Sequence, residues 1–195
     1  MNSVTDFTHA LRFVATATRH PLKMGAIWPS GLDLAAAMAA QIDPHILGPI
    51  IELGSGTGRI TNALIKQGID ESRLILIENH PEFFHDLHIT YPKAQCYCED
   101  AFRLGDIALH QAFPQAAAII SGLPLRMHNK TRRQNLVHTA LRLLKPEAPF
   151  IQFSYGFDPP VDGRGLGAEP NAVKTVWKNI PPARIWIYRR REPAG

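Results

Sequence analysis

The chain has 195 residues, of which 45% are apolar, and this length predicts one domain with a complete hydrophobic core. No apolar run approaches the ~18 residues that mark a membrane-spanning helix, so we expect no such helix. The polar start Met1–Asp6 predicts no signal peptide. The formal net charge of +4 favours an anionic partner, either phospholipid or nucleic acid.

The cysteines and histidines form no recognisable metal pattern. Cys96 and Cys98 lie at positions i and i+2 of a predicted strand, where a disulfide is poorly placed and the usual zinc spacing is missing. The nine histidines show no metal-ligand spacing either. We therefore expect reduced cysteines, no metal cofactor and a cytoplasmic protein.

The first 45 residues precede the main pattern of strands and helices. Phe7, Leu11 and Val14 fall on one stripe of a predicted amphipathic helix. Residues 1–23 carry three Lys or Arg against one Asp, a formal charge of +2. A second helix is predicted over Gly31–Gln41, so the whole segment is expected to be largely helical.

From Pro49 onward, short apolar runs alternate with helical stretches. Strands are predicted at Pro49–Leu53, Arg73–Glu78, Gln95–Cys98, Ala117–Ser121 and Phe150–Tyr155. Helices are predicted at Gly58–Gln67, Pro81–Thr90, Arg103–Ala112 and Lys130–Leu144. This alternation predicts an α/β fold in which helices cover both faces of a parallel sheet.

The end of the chain breaks this rhythm. Val173–Asn179 and Arg184–Tyr188 are predicted as two strands joined by a short Pro-containing connection, which indicates an antiparallel hairpin. The preceding segment Phe157–Pro170 is rich in Gly, Pro and Asp, and it is predicted to be a surface loop.

A glycine-rich turn follows the first predicted strand. Gly54, Gly56 and Gly58 stand at alternate positions before a helix, where glycines let the backbone approach a ligand closely. Glu78 ends the next strand, where an acid can accept hydrogen bonds from both ribose hydroxyls. The layout suits a nucleoside with a charged tail, whereas the Gly-x-Gly-x-x-Gly turn of dinucleotide-binding folds is absent.

A polar or acidic residue lies at or within two residues of the carboxyl end of four predicted strands. These residues are Glu52, Glu78, Asp100 and Ser121. Ligands of open α/β sheets bind beyond the carboxyl ends of the strands, so we expect the four to converge on one crevice. Asp100 is also suited to cap the following helix.

A tight loop, Ser121–Leu125, follows the fourth predicted strand. Its Gly and Pro residues favour a rigid turn whose backbone carbonyls can face a reacting group. No residue stands out as a general base: Tyr155, His128 and backbone carbonyls with water are alternatives.

Together these features resemble the class I S-adenosylmethionine-dependent methyltransferases, whose motif I is a Gly-x-Gly-x-Gly turn preceded by an acid. The chain is similar in particular to the small soluble type of bacterial phospholipid N-methyltransferases, whose core resembles that of the rRNA adenine dimethylases. The pieces that carry this resemblance are Gly25–Ser30, Glu52–Gly58, Phe83, Ser121–Leu125, Phe150–Gly156 and Asn179–Arg184. It implies a Rossmann-like fold with N-terminal helices and a mostly parallel seven-stranded sheet that ends in an antiparallel hairpin.

The resemblance also implies S-adenosylmethionine as cofactor and S-adenosylhomocysteine as its product. Glu52 would face the ammonium of the cofactor, Glu78 would hold the ribose, and Asp100 would recognise the adenine. The complete set of implied cofactor-binding residues is Glu52, Gly54, Ser55, Gly56, Gly58, Glu78, Asn79, Asp100, Ala101 and Ser121.

The implied reaction is the stepwise methylation of phosphatidylethanolamine towards phosphatidylcholine. Ser121, Gly122 and Leu123 would position the acceptor, and Trp28 would either close over the active site or pin the N-terminal segment to the core. Residues 1–45 would be a lid or membrane-contact segment on an anionic phospholipid surface. The protein would then be a cytoplasmic monomer, peripherally attached to the inner face of the cytoplasmic membrane.

Two other interpretations stay open: an RNA methyltransferase like the rRNA adenine dimethylases, and a protein that binds cofactor or lipid without catalysis. A dimethylase needs Asn or Asp and an aromatic residue where this chain has Gly122 and Leu125, and the chain stops after the sheet. RNA is therefore the less favoured partner, and no DNA partner is expected. The intact cofactor motifs argue against a protein without activity.

Overall fold

The computed structural model describes residues 29–179 and 182–190. The strands are β1 Ile50–Leu53, β2 Leu74–Ile77, β3 Gln95–Tyr97, β4 Ala118–Ser121, β5 Phe150–Tyr155, β6 Ala168–Val176 and β7 Ala183–Arg190. The helices are α1 Pro29–Ala39, α2 Arg59–Lys66, α3 Pro81–Thr90, α4 Leu104–His110 and α5 Lys130–Leu143.

The seven strands form one sheet in the order β3-β2-β1-β4-β5-β7-β6. Strands β1 to β5 are parallel to one another, whereas β7 is antiparallel to both β5 and β6. This arrangement confirms the predicted mostly parallel sheet with a C-terminal antiparallel hairpin. The strand order reverses between β1 and β4, which is where open α/β sheets bind their ligands.

The central strands are continuous apolar runs in the sequence because both faces of the sheet are buried there. Every residue of β1, β2 and β4 is buried. One core cluster lies under α4 and α5 and includes Ile51, Ile119, Leu136 and Tyr188. The other lies under α1, α2 and α3 and includes Met38, Ile50, Leu64 and Ile120.

The largest error of the sequence prediction concerns β6. This strand begins at Ala168 and ends at Val176, so the predicted strand Val173–Asn179 is placed too late and the predicted loop runs too far. Pro170 suggested a loop because it has no N–H to donate. In the structure it pairs with Tyr188 on the edge strand of the sheet, where a missing donor is tolerated.

Only part of the predicted N-terminal segment falls within the described residues. Helix α1 starts and ends two residues earlier than the predicted helix Gly31–Gln41. The amphipathic helix expected from Phe7 and the aromatic Trp28 lie outside the described residues.

Within residues 29–179 and 182–190, no helix is long and apolar enough to cross a membrane.

A buried phenol fixes the loop between β5 and β6. The Tyr188 hydroxyl donates to the Val161 carbonyl at 2.8 Å and accepts from the Val161 N–H at 3.2 Å. Burial raises the pKa of Tyr188 above its ordinary value, and it stays a neutral donor at physiological pH. One side chain therefore satisfies both backbone groups of Val161.

We expect Tyr188→Phe to lower the free energy of unfolding by about 1–3 kcal/mol, because both polar groups of Val161 lose their partner. Urea unfolding measures this change. Tyr97→Phe is the matched control, since the Tyr97 hydroxyl bonds only the exposed side chain of Gln95 among the described hydrogen bonds. Equal losses in the two variants would contradict the assignment.

Candidate functional site

The glycine turn between β1 and α2 has an open side and a closed side. Gly54, Gly56 and Gly58 have φ values of +70°, +52° and +75°, in the left-handed region that favours glycine. A Cβ atom at Gly56 would meet nothing within 4 Å, whereas at Gly54 it would lie 2.6 Å from Leu123 Cδ2. The turn therefore packs tightly on one side and leaves open space beside Gly56 for a ligand.

Glu78 connects this turn to the end of β2. Its carboxylate Oε2 accepts from the Gly56 N–H at 2.8 Å, and its Oε1 accepts from the His80 N–H at 2.8 Å. The residue is 7% exposed. Because a carboxylate has about four acceptor positions, two remain for donors such as ribose hydroxyls.

Glu52 is a fully buried carboxyl group on β1. Thr61 Oγ1 donates to Glu52 Oε2 at 2.7 Å, and Oε1 is buried without a hydrogen-bond partner among the described residues. Burial raises the pKa of Glu52 to about 8, with the hydrogen bonds of Thr61 opposing and the charge of Glu78 adding to the rise. This orphaned acceptor lies just ahead of the glycine turn and fits a ligand that brings a cation or a donor.

Asp100 caps the turn that precedes α4, as predicted. Its Oδ1 accepts from the Phe102 N–H at 3.0 Å, and its Oδ2 accepts from Arg132 Nη2 at 2.7 Å. The Arg132 guanidinium also lies 4.2 Å from the centroid of the Phe102 ring. Both carboxylate oxygens therefore already have a protein partner, and a base amine at Asp100 would have to share this acid with Arg132 or displace it.

The predicted acceptor loop lies directly on the glycine turn. The Gly122 N–H donates to the Leu53 carbonyl at 2.8 Å, and a Cβ at Gly122 would lie only 2.7 Å from the Gly54 carbonyl oxygen. Ser121 is fully buried, and its Oγ accepts from the Leu123 N–H at 3.3 Å. The structure thus brings together two loops that lie more than sixty residues apart in sequence.

Gln152 on β5 supports the acceptor loop, and the sequence analysis missed it. Its Nε2 donates to the carbonyls of Leu123 and Phe153, both at 2.9 Å. The residue is fully buried, and its Oε1 has no hydrogen-bond partner within the described ranges. A lone amide inside the apolar run Phe150–Phe153 was the available signal.

The remaining predicted residues occupy different positions at this edge. Asn79 is exposed beside Glu78, and Ala101 is buried. Ser55 is 5% exposed, and its Oγ is buried without a hydrogen-bond partner in the described part of the chain. Burial lowers the pKa of His128, and the charge of Arg132 adds to this effect.

A cavity of about 320 Å³ opens between the glycine turn and α3. Its lining residues are Gly56, Thr57, Asp86, Leu87, Ile89, Thr90 and Tyr91. The Tyr91 hydroxyl donates to the Gly58 carbonyl at 3.1 Å and so joins α3 to the turn. The open side of Gly56 therefore faces space that a ligand can enter.

Comparison with known proteins identifies the fold. No protein-family model matches the chain. The ornithine lipid N-methyltransferase of Singulisphaera acidiphila is 25% identical over 182 residues, which span 91% of this chain and 94% of that protein.

Two solved structures are similar over most of the chain. The 1,6-didemethyltoxoflavin-N1-methyltransferase of Burkholderia thailandensis has a TM-score of 0.67 at 14% identity and covers 98% of this chain and 92% of its own. The N-methyltransferase NodS of Bradyrhizobium japonicum has a TM-score of 0.64 at 10% identity, with 83% and 94% covered. The chain therefore has the fold of the class I S-adenosylmethionine-dependent methyltransferases, as the sequence predicts.

Glu52 makes stability depend on pH. Its carboxyl group keeps a proton up to about pH 8 in the folded state, against an ordinary pKa of 4.5. Between these values the folded state binds more protons than the unfolded state, so the stabilising contribution is complete below pH 4.5 and is lost as pH rises. The slope reaches at most about 1.4 kcal/mol per pH unit.

We expect Glu52→Gln to remove this slope, because the amide keeps the shape of the side chain but does not titrate. The measurement is urea unfolding at about pH 5.5 and about pH 7.5 without ligand, with exposed Glu82→Gln as control. Relative to the parent protein, Glu52→Gln gains stability at the higher pH and the control does not. Parallel pH profiles for all three proteins would show that Glu52 is not buried as a neutral acid.

Proposed function

We propose that the protein is an S-adenosylmethionine-dependent N-methyltransferase that acts on the amine of a lipid headgroup. The observation that carries this proposal is the direct packing of the acceptor loop on the glycine turn, where Gly122 approaches the Gly54 carbonyl. A turn that binds the cofactor and a loop that binds the acceptor must touch if a methyl group is to pass between them.

The residues at the sheet edge fit the proposed cofactor. The backbone at Gly56 offers a close approach, Glu78 has acceptor positions for the ribose, and Glu52 has an unsatisfied oxygen for the ammonium side. When bound, S-adenosylmethionine supplies a methyl group on a sulfonium that is already activated. The protein therefore has to align an acceptor and exclude water.

The acceptor amine must lose its proton before it can attack a methyl group. Burial disfavours the charged form of an amine and lowers its pKa. Leu123 and Gly122 present an apolar, closely packed loop at this point, and Gln152 holds the Leu123 carbonyl in place. Such a site favours the neutral amine and keeps its lone pair directed at the cofactor.

A lipid acceptor is supported by the relative from Singulisphaera acidiphila, whose name describes N-methylation of ornithine lipid. Phosphatidylethanolamine, which the sequence resemblance implies, also carries a primary amine in its headgroup. Methylation of phosphatidylethanolamine towards phosphatidylcholine, at the cytoplasmic face of the membrane, is the specific reaction that we propose. RNA is disfavoured because Gly122 and Leu125 provide neither the hydrogen-bonding side chain nor the stacking ring for a flipped base.

The test is methyl transfer from labelled S-adenosylmethionine to vesicles that contain phosphatidylethanolamine, beside vesicles with ornithine lipid and an RNA control. Label in mono-, di- and trimethylated phosphatidylethanolamine is the expected result. Label in ornithine lipid alone would support a lipid N-methyltransferase, but with ornithine lipid as its acceptor in place of phosphatidylethanolamine. Label in RNA alone, or in no acceptor despite bound cofactor, would overturn the proposal.

Glu78→Gln tests the cofactor site separately. The amide has one acceptor oxygen instead of two, so it cannot bond both backbone N–H groups and still accept from ribose hydroxyls. We expect the affinity for S-adenosylmethionine to fall roughly 10- to 100-fold, measured by calorimetry. Glu82→Gln, on the exposed surface of α3, serves as the matched control, and an unchanged affinity in Glu78→Gln would remove this residue from the site.

A further inference from the structure

Four of the nine exposed large apolar side chains in the described residues lie at the carboxyl edge of the sheet, the same edge that carries the site. Leu32, Met127, Phe157 and Trp177 are 53%, 42%, 72% and 70% exposed, and we call these four residues the rim. Phe157 directly follows the region where β5 ends, and Trp177 follows β6. Because β5 and β6 are both antiparallel to β7, they run in the same direction and end at the same edge of the sheet. Among the large apolar residues exposed in the described part of the chain, Phe157 and Trp177 are the only aromatic ones.

Basic side chains lie next to the rim residues. Lys178 Nζ lies 3.7 Å from Asp33 Oδ2, which places the hairpin beside the start of α1 and hence beside Leu32. The Arg184 guanidinium lies 5.0 Å from the centroid of the Phe157 ring. A large apolar side chain beside a cation is the combination that suits the boundary between headgroups and acyl chains.

The surface next to the rim is basic. Residues 107–146 contain no Asp or Glu, and Arg126, Lys130, Arg132 and Arg133 follow the acceptor loop, whereas Arg142 and Lys145 lie towards the opposite edge of the sheet. Helix α5 begins with Lys130 at the carboxyl edge of the sheet, five residues after the acceptor loop ends at Leu125. Of the acids at this edge, Asp33 pairs with Lys178, Asp158 with Arg126 and Asp100 with Arg132, whereas Glu78 is buried. The local field therefore favours an anionic partner.

We propose that the rim is a docking surface for an anionic phospholipid bilayer, with Trp177 and Phe157 inserted at the interface and Lys178 and Arg184 over the headgroups. Trp is enriched at membrane–water interfaces, and exposed apolar patches of this kind mark interaction sites. The proposal rests on the proposed function, because docking at this edge presents the acceptor loop to the lipid headgroups. It assigns membrane contact to the described core of the protein, in addition to the N-terminal segment.

The test uses the full chain with vesicles of phosphatidylglycerol and phosphatidylcholine, which contain no amine acceptor of the proposed kind, and without cofactor. Trp177→Ala and Phe157→Ala are each expected to weaken vesicle binding roughly tenfold in co-sedimentation. Leu109→Ala is the matched control, because Leu109 is 80% exposed at the end of α4 and is not part of the rim. Lys178→Gln is expected to reduce the salt-sensitive part of the binding.

Unchanged vesicle binding in both aromatic variants, with correct folding by circular dichroism, would overturn the proposal. So would equal losses in Leu109→Ala, or a loss of self-association in Trp177→Ala without any change in vesicle binding. A blue shift of tryptophan fluorescence on vesicle addition, smaller in Trp177→Phe than in the parent protein, is the expected supporting result.

Activity on a dispersed short-chain amine lipid separates the two proposals. The rim variants are expected to keep their turnover on that acceptor, because they lie outside the cofactor and acceptor loops, and to lose it on vesicles. If the parent protein methylates vesicle lipid while the rim variants bind and turn over normally, the rim proposal fails alone. If no lipid is methylated while the rim variants still lose vesicle binding, the proposed function fails alone.

Discussion

The site depends on one carboxylate, that of Glu78. Its two oxygens accept from the backbone N–H groups of Gly56 and His80, so a single side chain fixes the glycine turn relative to the end of β2. Burial strengthens both hydrogen bonds, because water competes for them weakly. The acceptor loop is joined to the start of this turn by the hydrogen bond from the Gly122 N–H to the Leu53 carbonyl, and it lies too close to Gly54 for any side chain there. Removing the charge would therefore disturb the geometry of both loops.

The sequence predicted those parts of the molecule whose structure is indicated by a short stretch of neighbouring residues. Apolar runs of four to six residues located the central strands, and the position of Glu78 after such a run placed it at the sheet edge. The pairing of Asp100 with Arg132 could not be predicted, because the two lie on different elements that meet only in the folded chain. The start of β6 was missed because Pro170 suggested a loop, whereas pairing on a sheet edge overrode that local preference.

Three of the five buried side-chain atoms that have no hydrogen-bond partner among the described residues belong to the site. They are oxygens of Glu52, Ser55 and Gln152, which lie in the glycine turn or next to the glycine turn or the acceptor loop. Such groups cost stability, and native proteins contain few of them. Their position here indicates that the fold keeps hydrogen-bonding capacity for a ligand at some cost to its stability without one.

The edge strand β6 carries several features that oppose pairing with another strand. Pro170 lacks a donor, and the register shifts between Ala172 and Lys174, which interrupts the regular row of N–H and C=O groups. Lys174 is exposed on the same strand and adds a charge. On the bilayer surface proposed above, copies of the protein would meet one another far more often than in bulk solution. An edge built in this way keeps such encounters from becoming intermolecular β-sheets, so crowding at a surface need not lead to aggregation.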